Sequence, residues 1–356
     1  MENKNSKIVI LAANSQLGIE ICLHLSTFDN VSITGVVRTE VAGALLKRLN
    51  IEYRVGELNG NSEIEDVISN ADLVFDLAAP TRGLLKDKKK FYKYRLSSIF
   101  NKMKKGSTFV LASTQAAFGY KEPLYPKLKH YFFPRSVYAA NKRYAEKLAK
   151  KLGKKNDIDV YLFRLADVYG ITQKSTALLR ELIAKNYSFT VTNTPANTIF
   201  TYEIALALMN IIKRLESPGL YTMVSNYPWT YSQILEYIAS IDNLKVKINS
   251  IEIPKKDTFY YLKQIKQVIQ ESVIKRRDFF MANFSIFERV IPKLKHSMLK
   301  KRAEREITMN GNFPEYRGLI RLSGVLPGKR FSSLPDLRKT IGTYEKKIMK
   351  QIDDLL

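Results

Sequence analysis

The chain has 356 residues, 45% apolar and 11% aromatic, enough for one large domain with an appendage or for two domains with real cores. A single cysteine, Cys22, and three scattered histidines exclude an internal disulfide and a zinc-ligand spacing, so no metal is expected and a reducing cytoplasm is the expected compartment. The formal charge is +24, and residues 255–356 carry 23 basic against 11 acidic residues, over twice the charge density of the rest; such an excess attracts polyanions or simply solvates helix faces.

KIVIL at 7–11 reads as a buried strand, too short to span a bilayer and lacking a signal peptide's cleavage region. It runs into AANSQLGIEICLHLS, where Gly18 opens a helix carrying Ile19, Cys22, Leu23 and Leu25. A strand, a small-residue turn and a helix form the dinucleotide-binding entry, in which backbone N–H groups at the helix start hold a pyrophosphate. Ala12, Asn14, Ser15, Gln16, Leu17 and Gly18 are therefore candidate cofactor contacts. Ala12 and Ser15 stand at the first two glycine positions of the fingerprint, and Gly18 keeps the third. The next strand, VSITGVVR, ends at Arg38. An acidic residue there would bind a ribose 2′-hydroxyl, whereas arginine accommodates a 2′-phosphate, so Arg38 favours NADP over NAD.

Strands and helices continue to alternate: a helix to about residue 50, the strand IEYRVGEL, the helix SEIEDVIS and the strand DLVFDLAA. This rhythm predicts an α/β fold, a Rossmann-like doubly wound parallel sheet covered on both faces. The loop APTRG, with Thr81 and Arg82, then lies at the carboxyl ends of strands, where ligands bind. A helix, YKYRLSSIFNKMKK, and a strand, STFVLASTQAAFGY, lead to SVYAANKRYAEKLAKKL at 136–152. There Val137, Ala140, Tyr144, Ala145, Leu148 and Leu152 recur at helical spacing, which puts Tyr138 and Lys142 one turn apart on a shared face. An ammonium beside a phenol favours the phenolate, and such a tyrosine can exchange protons near neutrality. Tyr125 and Lys129 share the spacing, but Pro126 and the loop composition give that pair no helix.

Six segments in this order resemble the extended short-chain dehydrogenase/reductases, the NAD-dependent epimerase/dehydratase family, over about residues 7–253. AANSQLG resembles its glycine-rich turn; VGEL, its GDL, with Glu57 and Leu58 at the adenine; FDLAAP, the cofactor-lining strand, with Leu77, Ala78 and Ala79. LASTQAAFG resembles the strand bearing a catalytic Ser or Thr, here Thr114; SVYAANK carries the Tyr and Lys; FRLADVYG resembles the segment RxxNVYG. The resemblance implies NADP or NAD as cofactor and a small-molecule substrate, sugar-like by the family's habit. It implies that Tyr138 exchanges a proton with the reacting oxygen, that Thr114 hydrogen-bonds this oxygen, and that Lys142 lowers the tyrosine's pKa and holds the nicotinamide ribose.

Several departures stand out. Gln115 and Ala116 replace the Asp-Glu of the family's dehydratases, which argues against loss of water; Asp76 replaces a common His, Arg95 an Asn, and Asp167 an Asn that touches the substrate's diphosphate. Gln115 and Asp167 are still expected to line the substrate site.

The expected divisions are 1–172, the dinucleotide-binding domain; 173–254, a smaller substrate region; and 255–356, a basic, mainly helical extension. In the extension, apolar residues at helical spacing alternate with basic clusters, and three readings stand: a lid over the substrate cleft, a surface for a homodimer or other partner, or helices on an anionic membrane surface. No nucleic-acid-binding module is recognised. Arg317 and Arg321, in a Gly/Pro-rich loop, could bind a substrate phosphate or carboxylate. The expected activity is hydride transfer at an alcohol or carbonyl carbon, by a reductase; an epimerase retaining its cofactor and a noncatalytic dinucleotide-binding protein are the alternatives.

Overall fold

The computed structural model describes residues 5–58, 60, 62–80, 85–118, 137–251, 314–317, 319, 326 and 328–354. KIVIL becomes β1 (Ser6–Leu11), followed by α1 (Gln16–Leu25), β2 (Val31–Val37), α2 (Glu40–Arg48), β3 (Tyr53–Val55), α3 (Ser62–Ser69), β4 (Leu73–Asp76), α4 (Leu85–Lys102) and β5 (Thr108–Thr114). A 3-10 turn (Gln115–Phe118) closes β5; α5 (Val137–Asn156) and β6 (Asp159–Leu165) complete the alternation.

The strands form a seven-stranded sheet in the order β10-β6-β5-β4-β1-β2-β3, all parallel, where β10 (Gly219–Met223) is a late addition at the edge. Strand order reverses at β1, which pairs with β2 on one side and β4 on the other, so a crevice opens beyond their carboxyl ends. Continuous apolar runs suit this sheet because both of its faces are covered. Ile64, Ile68, Tyr92, Leu96, Ile99, Ala145 and Ala149 of α3, α4 and α5 bury one face. Ile21, Leu25, Ile204 and Leu208 of α1 and α7 (Thr201–Ile212) bury the other.

The smaller region holds β7 (Asp167–Tyr169) paired with β9 (Thr198–Phe200), α6 (Lys174–Ala184), β8 (Ser188–Thr192), α8 (Tyr231–Ile241) and β11 (Lys247–Ile251). Thr230 and Gln233 form a capping box at the start of α8, with bonds of 3.2 and 2.9 Å. The periodicity reading omits β8, whose five residues are all buried between two partner strands.

Of the expected extension, 255–356, the described parts that follow residue 313 are built into the core. β12 (Glu315–Tyr316) pairs with β8 on the edge opposite β11, in a three-stranded sheet of order β11-β8-β12. Phe331 and Leu334 enter the main core, Phe331 lying 4.4 Å from Tyr221 and 5.4 Å from Phe163 between ring centroids. The closing helix, α9 (Ile341–Asp353), packs on α1 and α7, stacking Tyr344 on Tyr202 at 3.9 Å. The physical reason is coverage: without this segment, that side of the sheet and α7 would present apolar surface to water. Residues 252–313, with the expected lid or interface helices, lie outside the described residues, as does the Tyr125–Lys129 pair.

Candidate active site

At the crevice, the turn after β1 places Ala12 in the left-handed region, at φ 60°, so this alanine adopts the backbone conformation for which glycine is usually selected. Ser15 caps α1: its hydroxyl accepts the Gly18 N–H at 3.1 Å. Gly18 is required for packing, since a Cβ there would sit 2.6 Å from the Ala13 carbonyl oxygen. Ala12 and Gly18 thus stand where the backbone makes the demands glycine meets, Ser15 serves as the helix cap, and Asn14, Gln16 and Leu17 lie in the same turn and helix start. Leu77, Ala78 and Ala79 follow β4 on the other side of the crevice, half-buried, with the Leu77 N–H bonded to the Leu11 carbonyl at 3.2 Å. Arg38 is exposed just past β2, and Glu57 and Leu58 follow β3, one exposed and one buried.

Thr114 ends β5, and Tyr138 and Lys142 occupy the first turns of α5, which packs on that strand. Tyr138 and Thr114 are hydrogen-bonded to each other. Lys142 is buried, its ammonium donating to the Ala112 carbonyl at 2.6 Å and lying 5.9 Å from the centroid of the Tyr138 ring. Burial pulls the Lys142 pKa down to about 8, while the charges of Asp76 and Glu146 oppose the fall. The tyrosine was expected below its ordinary value. Although 48% of Tyr138 is exposed, its phenol end is crowded enough that burial pushes its pKa up, and the Thr114 hydrogen bond is what draws it down. An ammonium has three N–H groups, of which the described residues engage one, so Lys142 is fitted to receive the hydroxyls of a ribose.

Two departures from the family's pattern prove to be partners. Asp76, fully buried, receives Arg95 in a fork, Nη2 to Oδ1 at 2.8 Å and Nε to Oδ2 at 3.3 Å, and its Oδ1 also accepts the Ala78 N–H at 3.0 Å. Gln115 and Asp167 likewise meet, Gln115 Nε2 donating to Asp167 Oδ1 at 2.8 Å. Asp167 lines an open cleft of ≈ 330 Å³ with Gln16, Gln173, Lys174 and Ser175, so the cleft joins the cofactor turn to the start of α6. Arg317 is not drawn into this cleft's lining; it follows β12, its guanidinium 2.8 Å from Glu315. Thr81, Arg82 and Arg321 lie outside the described residues.

Sequence reasoning missed a second buried pair. Arg164 of β6 forks onto Glu146 of α5 at 2.9 and 2.6 Å, and the Ser113 hydroxyl donates to the same carboxylate at 2.5 Å. The signal was available: Glu146 follows Lys142 by four residues, so Tyr138, Lys142 and Glu146 share one helix face. Tyr92, buried on α4 within the fields of Asp76, Tyr138 and Arg95, had no such signal, because its partners come from other elements.

A family model described as the NAD dependent epimerase/dehydratase family matches residues 8–192. No curated protein is detectably similar in sequence. Among solved structures, UDP-N-acetylglucosamine 4-epimerase from Bacillus cereus aligns with a TM-score of 0.54 at 16% identity, over 69% of this chain and 86% of that one. The enzyme of the same name from Methanobrevibacter ruminantium M1, in complex with UDP-N-acetylmuramic acid, gives 0.53 at 18% identity over 71% and 87%. The Bordetella bronchiseptica enzyme WbmH in complex with NAD+ gives 0.52, also at 18% identity over 71% and 87%. At these identities the likeness is one of fold.

Proposed function

The chain belongs to the NAD-dependent epimerase/dehydratase family, and from that premise we propose that it is an enzyme of hydride transfer at an alcohol or carbonyl carbon of a sugar-like metabolite. The observation that carries this reading is the grouping of Thr114, Tyr138 and buried Lys142 at the carboxyl end of β5, beside the crevice. A nicotinamide dinucleotide, when bound, supplies the acceptor or donor of hydride. Tyr138 holds and moves the proton at the substrate oxygen, with its hydroxyl aligned by Thr114. Lys142 offers its remaining N–H groups to the ribose, the helix start at Gln16 and Leu17 faces the pyrophosphate, and Ala78 and Ala79 line the crevice opposite. Gln115 and Ala116 stand where the family's dehydratases carry the acid and base for elimination of water, which argues against that reaction.

Arg38, at the end of β2, supports NADPH and a net reduction. A second reading, epimerisation with cofactor retained between turnovers, is favoured by the epimerases and the NAD complex among the structural neighbours. Fluorescence titration with NADPH and NADH, on the native protein and Arg38→Asp, separates them. Tight NADPH binding that the substitution weakens about tenfold or more supports the reductase. Preference for NADH, or nucleotide released only on denaturing the purified protein, supports the epimerase, and binding of neither sinks both. In either case Tyr138→Phe should lower turnover about 100-fold or more while leaving nucleotide affinity nearly unchanged.

A further inference from the structure

We propose that Asp76 and Arg95 form a positioning unit for Lys142, keeping its side chain charged and the adjoining loop in place for the nucleotide; this rests on the dinucleotide-binding reading above. Asp76 closes β4 and is fully buried, so its carboxylate needs compensation from within the protein. It receives that from the Arg95 fork and from the Ala78 N–H, and the latter fixes the start of the segment Leu77, Ala78 and Ala79 that borders the crevice. The same carboxylate stands beside Lys142: Asp76 is the register partner of Leu111 on β5, next to Ala112, whose carbonyl the ammonium holds at 2.6 Å, and its charge opposes the burial that disfavours the ammonium.

Among the described residues, the charged and titratable groups around Lys142 come from four elements. Asp76 stands on β4; Tyr92 and Arg95 stand on α4; Tyr138 and Glu146 share α5 with the lysine; and Arg164 on β6 is bound to Glu146. Glu146 is neutralised by its own arginine, as Asp76 is by Arg95. Lys142 therefore sits between two ion pairs, and the balance within each pair sets how readily it keeps its proton. Asp76 and Glu146 both favour the ammonium, and each shares its charge with an arginine, Arg95 or Arg164. If either partner were merely a structural filler, its replacement would weaken nucleotide binding to the same degree at every pH.

The positioning role predicts opposite signs for the two partners. In Asp76→Asn the ammonium loses a stabilising charge, so Lys142 deprotonates at lower pH. NADH or NADPH, whichever the native protein binds, should then bind at least tenfold weaker at pH 8.5 and within about twofold at pH 6.5. In Arg95→Gln a repelling charge goes and Asp76 is released towards the lysine, so loss of binding should move to higher pH than in the native protein. The double variant Asp76→Asn/Arg95→Gln removes both charges, providing a compensated protein if a single variant melts too early to titrate. Its binding profile should fall between those of the singles, or near the native one.

A second readout needs no nucleotide: the 13Cε resonance of Lys142, assigned by its disappearance in Lys142→Arg, followed against pH. A midpoint that falls in Asp76→Asn and rises in Arg95→Gln supports the proposal. Equal weakening at all pH values, or midpoints that do not move, overturns it. If the midpoints move as stated but the native protein binds neither nucleotide, the electrostatic unit stands and the dinucleotide reading falls.

Discussion

Buried charges at the site occur as forks, and a fork is asymmetric under mutation. Removing Glu146 leaves Arg164, 1% exposed and also stacked 4.3 Å from the Phe118 ring, without its counter-charge. Glu146→Leu should therefore cost about 3–5 kcal/mol in denaturant unfolding, and Glu146→Leu with Arg164→Met should recover much of it, because an apolar pair replaces a charged one without desolvation. A single variant within 1 kcal/mol of the native protein would show that the pair does not carry that energy. This residue scale also shows where sequence reading runs out. Tyr138 and Lys142 are legible because four-residue spacing on a helix is local information. The pairing of Asp76 with Arg95, 19 positions apart, and of Gln115 with Asp167, 52 apart, is set by sheet topology, so each read alone as an isolated departure.

The turn from β1 to α1 gives the sharpest test at the scale of an element. Ala12 sits at φ 60°, a conformation that an L residue with a Cβ adopts at a penalty of about 1–2 kcal/mol. Ala12→Gly should raise stability by up to about 1 kcal/mol, less the backbone entropy that glycine adds to the unfolded chain, with nucleotide affinity kept or improved. Gly18→Ala should do the reverse, since its Cβ would meet two main-chain oxygens at 2.6 and 2.9 Å that cannot move without displacing β1 from α1. A melting curve unchanged by Gly18→Ala would refute that close approach. The alternating elements themselves were readable because buried strands and amphipathic helices leave different periods. β8 was not, since SFTVT alternates apolar and hydroxyl residues that are all buried, a pattern that a half-exposed strand would share. β12, with two residues, is below what any period can reveal.

For the molecule as a whole, pH dependence follows from three buried groups. Burial pushes Glu203 up to about 7 and Glu345 up to about 8. A carboxyl raised in the folded state contributes stability that is full below the ordinary carboxylate value and is lost as pH rises through the folded one. His24, lowered by burial to about 3, acts oppositely: its contribution is full above its ordinary value of 6.5 and is lost as pH falls. Below 6.5 the histidine offsets one of the two glutamates; above it nothing in this set does. Thermal stability should fall from pH 5.5 to 7.5, most steeply between about 6.5 and 7, at roughly 1.4 kcal/mol per pH unit for each carboxyl titrating. Glu345→Gln should flatten the upper part of that fall, and a melting temperature rising across this range would contradict the assignment. Charge acts at this scale too. α4 and α5 lie side by side, with exposed lysines at 89, 90 and 93 on one helix and at 147, 150, 151 and 154 on the other. Two copies meeting through these faces would oppose like charges, so any such pairing should strengthen as salt is added, which sedimentation at about 0.05 and 0.5 M salt would register.

The return of residues 328–354 to the main sheet has a consequence for biosynthesis. β1, α1 and α7 are made early, yet Phe331, Leu334 and Ile348, which lie against them, emerge from the ribosome more than a hundred residues after α7. Until then the nascent chain carries a sheet with one incompletely clad face, the kind of surface that chaperones bind. A premature stop anywhere before this segment would thus yield a product that retains Thr114, Tyr138 and Lys142 in its sequence but lacks the last piece of the core behind them.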